Sequence, residues 1–138
     1  FAMSMFALAQ GDYQKCISMS EECLMREPDN VDALYNKGIS LLNLALNEKK
    51  SEKRRNLYRR ALEPMEKVRE LSPDAINRWG NPLYRIYLNL NMGSKFEEMD
   101  HLLEKHQIEE RRSHNSQIIG NKLGKGDSNN MDKHLGNP

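Results

Sequence analysis

Cysteine is scarce in this chain of 138 residues, which holds only two, and a disulfide-stapled scaffold is excluded. Cys16 and Cys23 lie seven positions apart. On one helix that is a rise of about 10.5 Å, beyond the ~7 Å that a bridge spans. Long apolar runs are missing as well, and no stretch approaches the ~18 uninterrupted residues of a membrane helix. Neither sign of charge dominates: 21 Lys and Arg face 20 Asp and Glu, a balance unlike that of a dedicated nucleic-acid binder. The strict two-residue alternation of a half-buried strand is also absent, so no strand precedes a glycine-rich phosphate loop or carries a nucleophile elbow. His101 and His106 are five residues apart, not the four that put two metal ligands on one helix face. The chain is therefore expected to be neither an enzyme nor a holder of metal or cofactor. No basic region followed by an apolar run marks a signal peptide, and Phe1 in place of Met suggests a fragment or processed chain. Localisation stays open between cytoplasm and periplasm.

What is present is helical periodicity. Tyr13, Cys16, Ile17, Ser20, Cys23 and Leu24 recur at three- and four-residue spacing. Leu34, Lys37, Gly38, Leu41, Leu42 and Ala45 give a second stripe, and Tyr58, Ala61, Leu62, Met65, Val68 and Leu71 a third. Pro64 lies inside the third stripe and is expected to bend that helix or shift its start. Trp79, Leu83, Ile86, Tyr87 and Leu90 form another face; Gly93-Ser94 reads as a turn before Phe96, Met99, Leu102 and Leu103. The fold class is all-α.

Between the second and third stripes, Lys49, Lys50, Lys53, Arg54, Arg55, Arg59 and Arg60 stand against the single acid Glu52. From residue 107 onward only six of 32 residues are apolar, and four of the eight glycines fall there. Such a composition buries too little to offset the entropy of ordering, so residues 107–138 are expected to form a polar, mostly irregular tail, the last helix ending near Arg112.

The punctuation has a period. The run Gly11-Asp12-Tyr13, Cys16-Ile17, Cys23-Leu24 and Pro28-Asp29-Asn30 resembles the second half of a tetratricopeptide repeat, with cysteine at two positions where the family most often has alanine. A second copy begins at Val31, with Tyr35, Gly38 and Leu41 on its first helix and Tyr58, Ala61-Leu62, Val68 and Pro73 on its second. Pro28 and Pro73 are 45 residues apart, against a repeat of about 34; the surplus of about 11 is close to three helical turns and falls in the basic stretch. A third, degenerate copy runs over 76–106, with Phe96 in the aromatic slot. The lengthened middle copy with Trp79-Gly80-Asn81-Pro82-Leu83-Tyr84 also resembles repeat proteins of Bacteroidetes-type bacteria.

The resemblance implies an α-α superhelix over residues 1–106, in repeats of about 1–30, 31–75 and 76–106, the first truncated and the last capping. It implies a scaffold that binds a peptide or partner helix in a concave groove lined by the first helix of each pair. On matching positions the groove residues are Met5, Leu8, Tyr35, Asn36, Ile39, Asn43, Tyr84, Arg85 and Leu88; Leu42 and Leu88 fit either groove or core. Some family members grip a chaperone's C-terminal Glu-Glu-Val-Asp with a carboxylate clamp. Asn36 and Arg85 match that clamp, whereas Phe1, Met5 and Asn81 depart from it. Two alternatives accompany the groove: self-association through an apolar N-terminal edge at Met3, Phe6 and Ala7, and a basic helix that binds nucleic acid or an acidic partner.

Overall fold

The helices follow the punctuation. In the computed structural model, which describes the backbone of residues 2–125 and the side chains of residues 4–115 except Phe6, the first helix α1 (Ala2–Ala9) stops at Gly11. Gly11 adopts φ +77°, a conformation open to glycine because it lacks a Cβ. The Gly11 N–H then reaches the Leu8 carbonyl at 3.0 Å and the Asp12 N–H the Ala7 carbonyl at 2.9 Å, the paired bonds of a Schellman cap. Asp12 opens α2 (Tyr13–Arg26) by accepting from the Lys15 N–H at 3.2 Å.

Pro28 separates α2 from α3 (Val31–Asn47), whose first turn Asn30 caps by accepting from the Ala33 N–H at 3.0 Å. Next come α4 (Ser51–Leu71) and α5 (Ile76–Asn89). Pro64 neither shifts the start of α4 nor divides it: one helix runs through the proline, which is itself buried. The turn after α5 is not at Gly93. Asn91 takes the positive φ, +56°, and the Asn91 and Met92 amides bond the Leu88 and Tyr87 carbonyls at 3.2 and 2.9 Å. That is the Gly11 cap again, built on the other residue that tolerates this conformation. Gly93 instead begins α6 (Gly93–Lys125).

The described residues are thus all helical, without a strand among them. The described residues up to Asp100 form one compact unit and those from His101 a second. In the first, α1 packs on α2, α2 on α3, α3 on α4 and α4 on α5. In addition α1 touches α3 and α3 touches α5, whereas α2 and α4 share no such contact among the described residues. Most of the stripe residues read from the sequence form the core: Cys16, Ile17, Leu34, Leu41, Tyr58, Ala61, Met65, Val68, Leu83, Ile86 and Met99 are buried, whereas Leu71, the last of the third stripe, is exposed. Each aliphatic side chain of this kind contributes ~1.5–3 kcal/mol by leaving water. The two cysteines are free and buried. The α3–α4 crossing is tightest at Gly38, where a Cβ would lie 2.6 Å from the Met65 methyl.

In the second unit the chain stays helical to Lys125, well past Arg112, where irregular structure was expected. Up to Arg112 the segment is rich in Glu, Arg, Lys and Gln, good helix formers that need no buried face, and His106 pairs with Glu110 one turn on at 3.1 Å; beyond Arg112 the helix is already under way, and extending it costs far less than starting one. The rest of the expected tail, residues 126–138, lies outside the described residues.

One buried group is unsatisfied. Ser40 is fully buried in α3, and its hydroxyl has no partner among the described residues. Replacing it with alanine removes a desolvated polar group and improves helix propensity. Ser40→Ala is therefore expected to raise stability by about 1 kcal/mol in urea denaturation. A loss of that size would show that the hydroxyl is bonded in solution.

Candidate functional site

The α3 sequence carries two stripes with different fates. Ala33, Asn36 and Ser40 turn inward. The Asn36 amide donates to the Ser4 hydroxyl at 3.2 Å, tying α3 to α1, and its backbone carbonyl accepts from the Cys16 thiol at 3.7 Å. Asn36, expected in the groove, is therefore a core residue. Its side chain spans a helix interface, and neither groove nor clamp can use it.

The second stripe, Tyr35, Ile39, Asn43 and Leu46, stays partly accessible. Tyr35 is half-buried beneath Arg78, whose guanidinium lies 4.4 Å from the ring centre and pairs with Asp32 at 2.9 Å. This cation–π stack occupies the ring face that a ligand would need. Asn43 turns its amide back to the Ile39 carbonyl at 2.9 Å, an intrahelical bond. Leu42 resolves toward the core, with 6% of its surface exposed.

On α5 the expectation fares differently. Tyr84, Arg85 and Leu88 come together with Asn81, Asn89 and the α3 residue Leu46 around an open cleft of about 550 Å³. Leu46 and Leu88 are each about half exposed, at 49% and 50%. Tyr84 is fixed from behind by Phe96, their ring centres 4.8 Å apart, and Arg85 projects into solvent. Asn89 donates to the Arg85 carbonyl at 2.8 Å, so its amide is engaged locally. The cleft combines an apolar pair, one aromatic wall and one exposed cation that pairs with no carboxylate among the described residues.

Leu46 and Asn89 were missed from the sequence. The signal for Leu46 was there, because it continues the Tyr35–Ile39–Leu42 spacing by one more turn. Met5 is exposed and Leu8 intermediate on α1; neither lines the α3–α5 cleft. Of the apolar edge proposed for self-association, Ala7 is buried, and the side chains of Met3 and Phe6 lie outside the described residues.

α5 is seated on α4 by a polar cluster. The Tyr87 hydroxyl donates to Glu66 at 2.7 Å, and Lys95 pairs with the same carboxylate oxygen at 3.1 Å. Burial, reinforced by the bond to Glu66 and by that carboxylate's charge, holds the Tyr87 phenol well above its ordinary pKa.

A second cleft, of about 280 Å³, lies where α3 meets α4, beside Gln14 at the start of α2. Leu44 and Leu57 contribute apolar surface, while Lys53, Arg60, Asn56 and Glu48 supply polar groups. Among the described residues no cluster of three or more His, Cys, Asp or Glu could hold a metal ion, and no helix is long and apolar enough to cross a membrane. Comparison with known protein families, curated proteins and solved structures returns no match for this chain.

Proposed function

We propose that this chain is a non-catalytic protein-binding module of tetratricopeptide-repeat type, taking a peptide or partner helix in a groove along its odd-numbered helices. The observation that carries the reading is the α3–α5 cleft, where two half-exposed leucines sit beside Tyr84 and Arg85. Leucines left this open in a small helical unit cost solvation free energy that a bound apolar side chain recovers. The contact pattern supports the same reading. Odd helices touch one another while α2 and α4 do not, as happens when helical pairs stack with their first helices on the inner side of a curve. So does the recurrence of one cap geometry at Gly11 and Asn91, each closing the first helix of a pair.

Selection of peptides from a displayed library against the full chain tests the proposal. Selected peptides are expected to lose about tenfold or more in affinity for Leu88→Asp, which places a carboxylate in the apolar seat. They should bind a Met25→Asp control normally, since Met25 is 83% exposed on α2, away from the cleft. Peptides that bind Leu88→Asp as well as the parent would refute the groove.

A further inference from the structure

The basic stretch lies apart from that groove, and its charges are unspent. Lys49, Lys50, Lys53, Arg54, Arg55, Arg59 and Arg60 occupy the start of α4 and the loop before it, and all but the partly covered Arg54 are exposed. Among the described residues none of the seven pairs with a carboxylate. Arg54 and Arg59 donate only to neutral oxygens, the Glu48 carbonyl and the Asn56 side chain. No side chain caps the first turn of α4, and Glu52 is the one acid set there against the positive end of the helix dipole. Arg55 and Arg59 are one turn apart, a like-charge pair that costs the helix stability. Four of the chain's acids pair with cations outside this stretch: Asp29 with Lys67, Asp32 with Arg78, Glu66 with Lys95 and Glu98 with Arg69.

The cleft beside these cations specifies what kind. Lys53 and Arg60 stand seven residues apart on one face of α4, about 10.5 Å along the axis, with Leu57 between them and Leu44 opposite. Cations therefore flank an apolar floor. Nucleic acid fits poorly, because no aromatic side chain lines the cleft and the nearest in sequence, Tyr58, is 3% exposed and unable to stack on a base. We infer that the α3–α4 end is a second docking surface, for an acidic protein segment that seats a leucine-like side chain on Leu44 and Leu57 while its Asp and Glu residues meet Lys53, Arg60 and their neighbours.

The probe is a fluorescein-labelled peptide of alternating acidic residues around two leucines, titrated against the full chain at about 50 mM salt, where screening is weak. Three comparisons accompany it: the same peptide with alanine for leucine, a single-stranded oligonucleotide of equal charge, and the chain carrying Lys53→Glu with Arg60→Glu. Both altered positions are solvent-facing, and circular dichroism checks that the variant folds. The expected result is salt-sensitive binding that weakens about tenfold or more in the double variant, and about threefold or more with the alanine peptide. Binding should be unchanged by Leu88→Asp, which keeps this surface distinct from the groove. Absence of binding, equal affinity of the leucine and alanine peptides, or insensitivity to the double variant overturns the inference. Tighter binding of the oligonucleotide overturns it in favour of nucleic acid.

Discussion

Trp79→Ala is expected to destabilise the first unit by about 3–5 kcal/mol, a large share of the ~5–15 kcal/mol that holds a small domain folded. Trp79 is the single tryptophan of the chain and is 4% exposed. Its indole N–H donates to the Ser72 carbonyl at 3.0 Å, and the Arg69 side chain lies over its ring at 4.9 Å. Ser72 ends α4, its own N–H bonded to the Val68 carbonyl, and its carbonyl also accepts from Ala75, so the α4–α5 connection closes around this one group. The start of α5 has no side-chain cap of its own. Truncation removes the largest side chain at this joint and opens a cavity between α4 and α5.

Trp79→Phe separates the contributions. It keeps most of the packing and gives up one hydrogen bond, whose acceptor still has Ala75, so about 1 kcal/mol is expected. Urea denaturation followed by circular dichroism at 222 nm measures both, since fluorescence is lost with the residue. A cost below about 1 kcal/mol for the alanine variant would mean that α5 is held elsewhere. Because α5 carries Tyr84, Arg85 and Leu88, the same variant should also lose the peptides selected on the groove.

Local chemistry explains which parts of this structure could be read from the residues. The Gly11-Asp12 turn was legible because a helix end needs positive φ and a side-chain acceptor, and two adjacent residues supply both. The matching turn at Asn91 was not, since glycine at position 93 offered a more obvious breaker. Asparagine visits the left-handed region at moderate cost, and tertiary packing chose it. The burial of Cys16, Leu41, Met65, Val68 and Leu83 followed from helical spacing alone.

Helix spacing did not separate Tyr35 from Asn36. Neighbours on a helix point about 100° apart, and the family pattern places both near the groove. Only the partners across the interface, Ser4 for Asn36 and Arg78 for Tyr35, decide that one is buried and the other covered. The helix over residues 113–125 was missed for the opposite reason: composition reports the capacity to bury surface, whereas extending a helix already under way costs far less than starting one. The α3–α5 cleft was half legible, through Tyr84, Arg85 and Leu88, because a single helix face generates that set. Leu46 enters from another helix.

The Tyr87–Glu66 contact predicts an alkaline loss of stability with a definite sign. In the unfolded chain the phenol ionises near pH 10. In the folded unit burial, the 2.7 Å bond to Glu66 and the Glu66 charge all favour the protonated form, so the folded pKa lies higher. Below pH ~10 both states hold the proton and the contribution is constant. Above it the unfolded state releases a proton that the folded state retains, and stability falls by up to ~1.4 kcal/mol per pH unit until the folded phenol itself ionises. Tyr87→Phe supplies the control. It should be about 1 kcal/mol weaker than the parent at pH 7, where the hydrogen bond is lost, yet shallower above pH 10. Lysine titration is common to both chains, so the difference between their urea midpoints isolates the phenol. The two curves should approach and cross at alkaline pH; parallel curves would show that Tyr87 titrates freely and that Glu66 is held by Lys95 alone. Tyr87 is the residue before Leu88, and its carbonyl receives the Met92 N–H that closes the Asn91 turn. Because the folded phenol keeps its proton over that range, the last turn of α5 is undisturbed, and groove affinity should stay level in both chains for as long as the unit is folded.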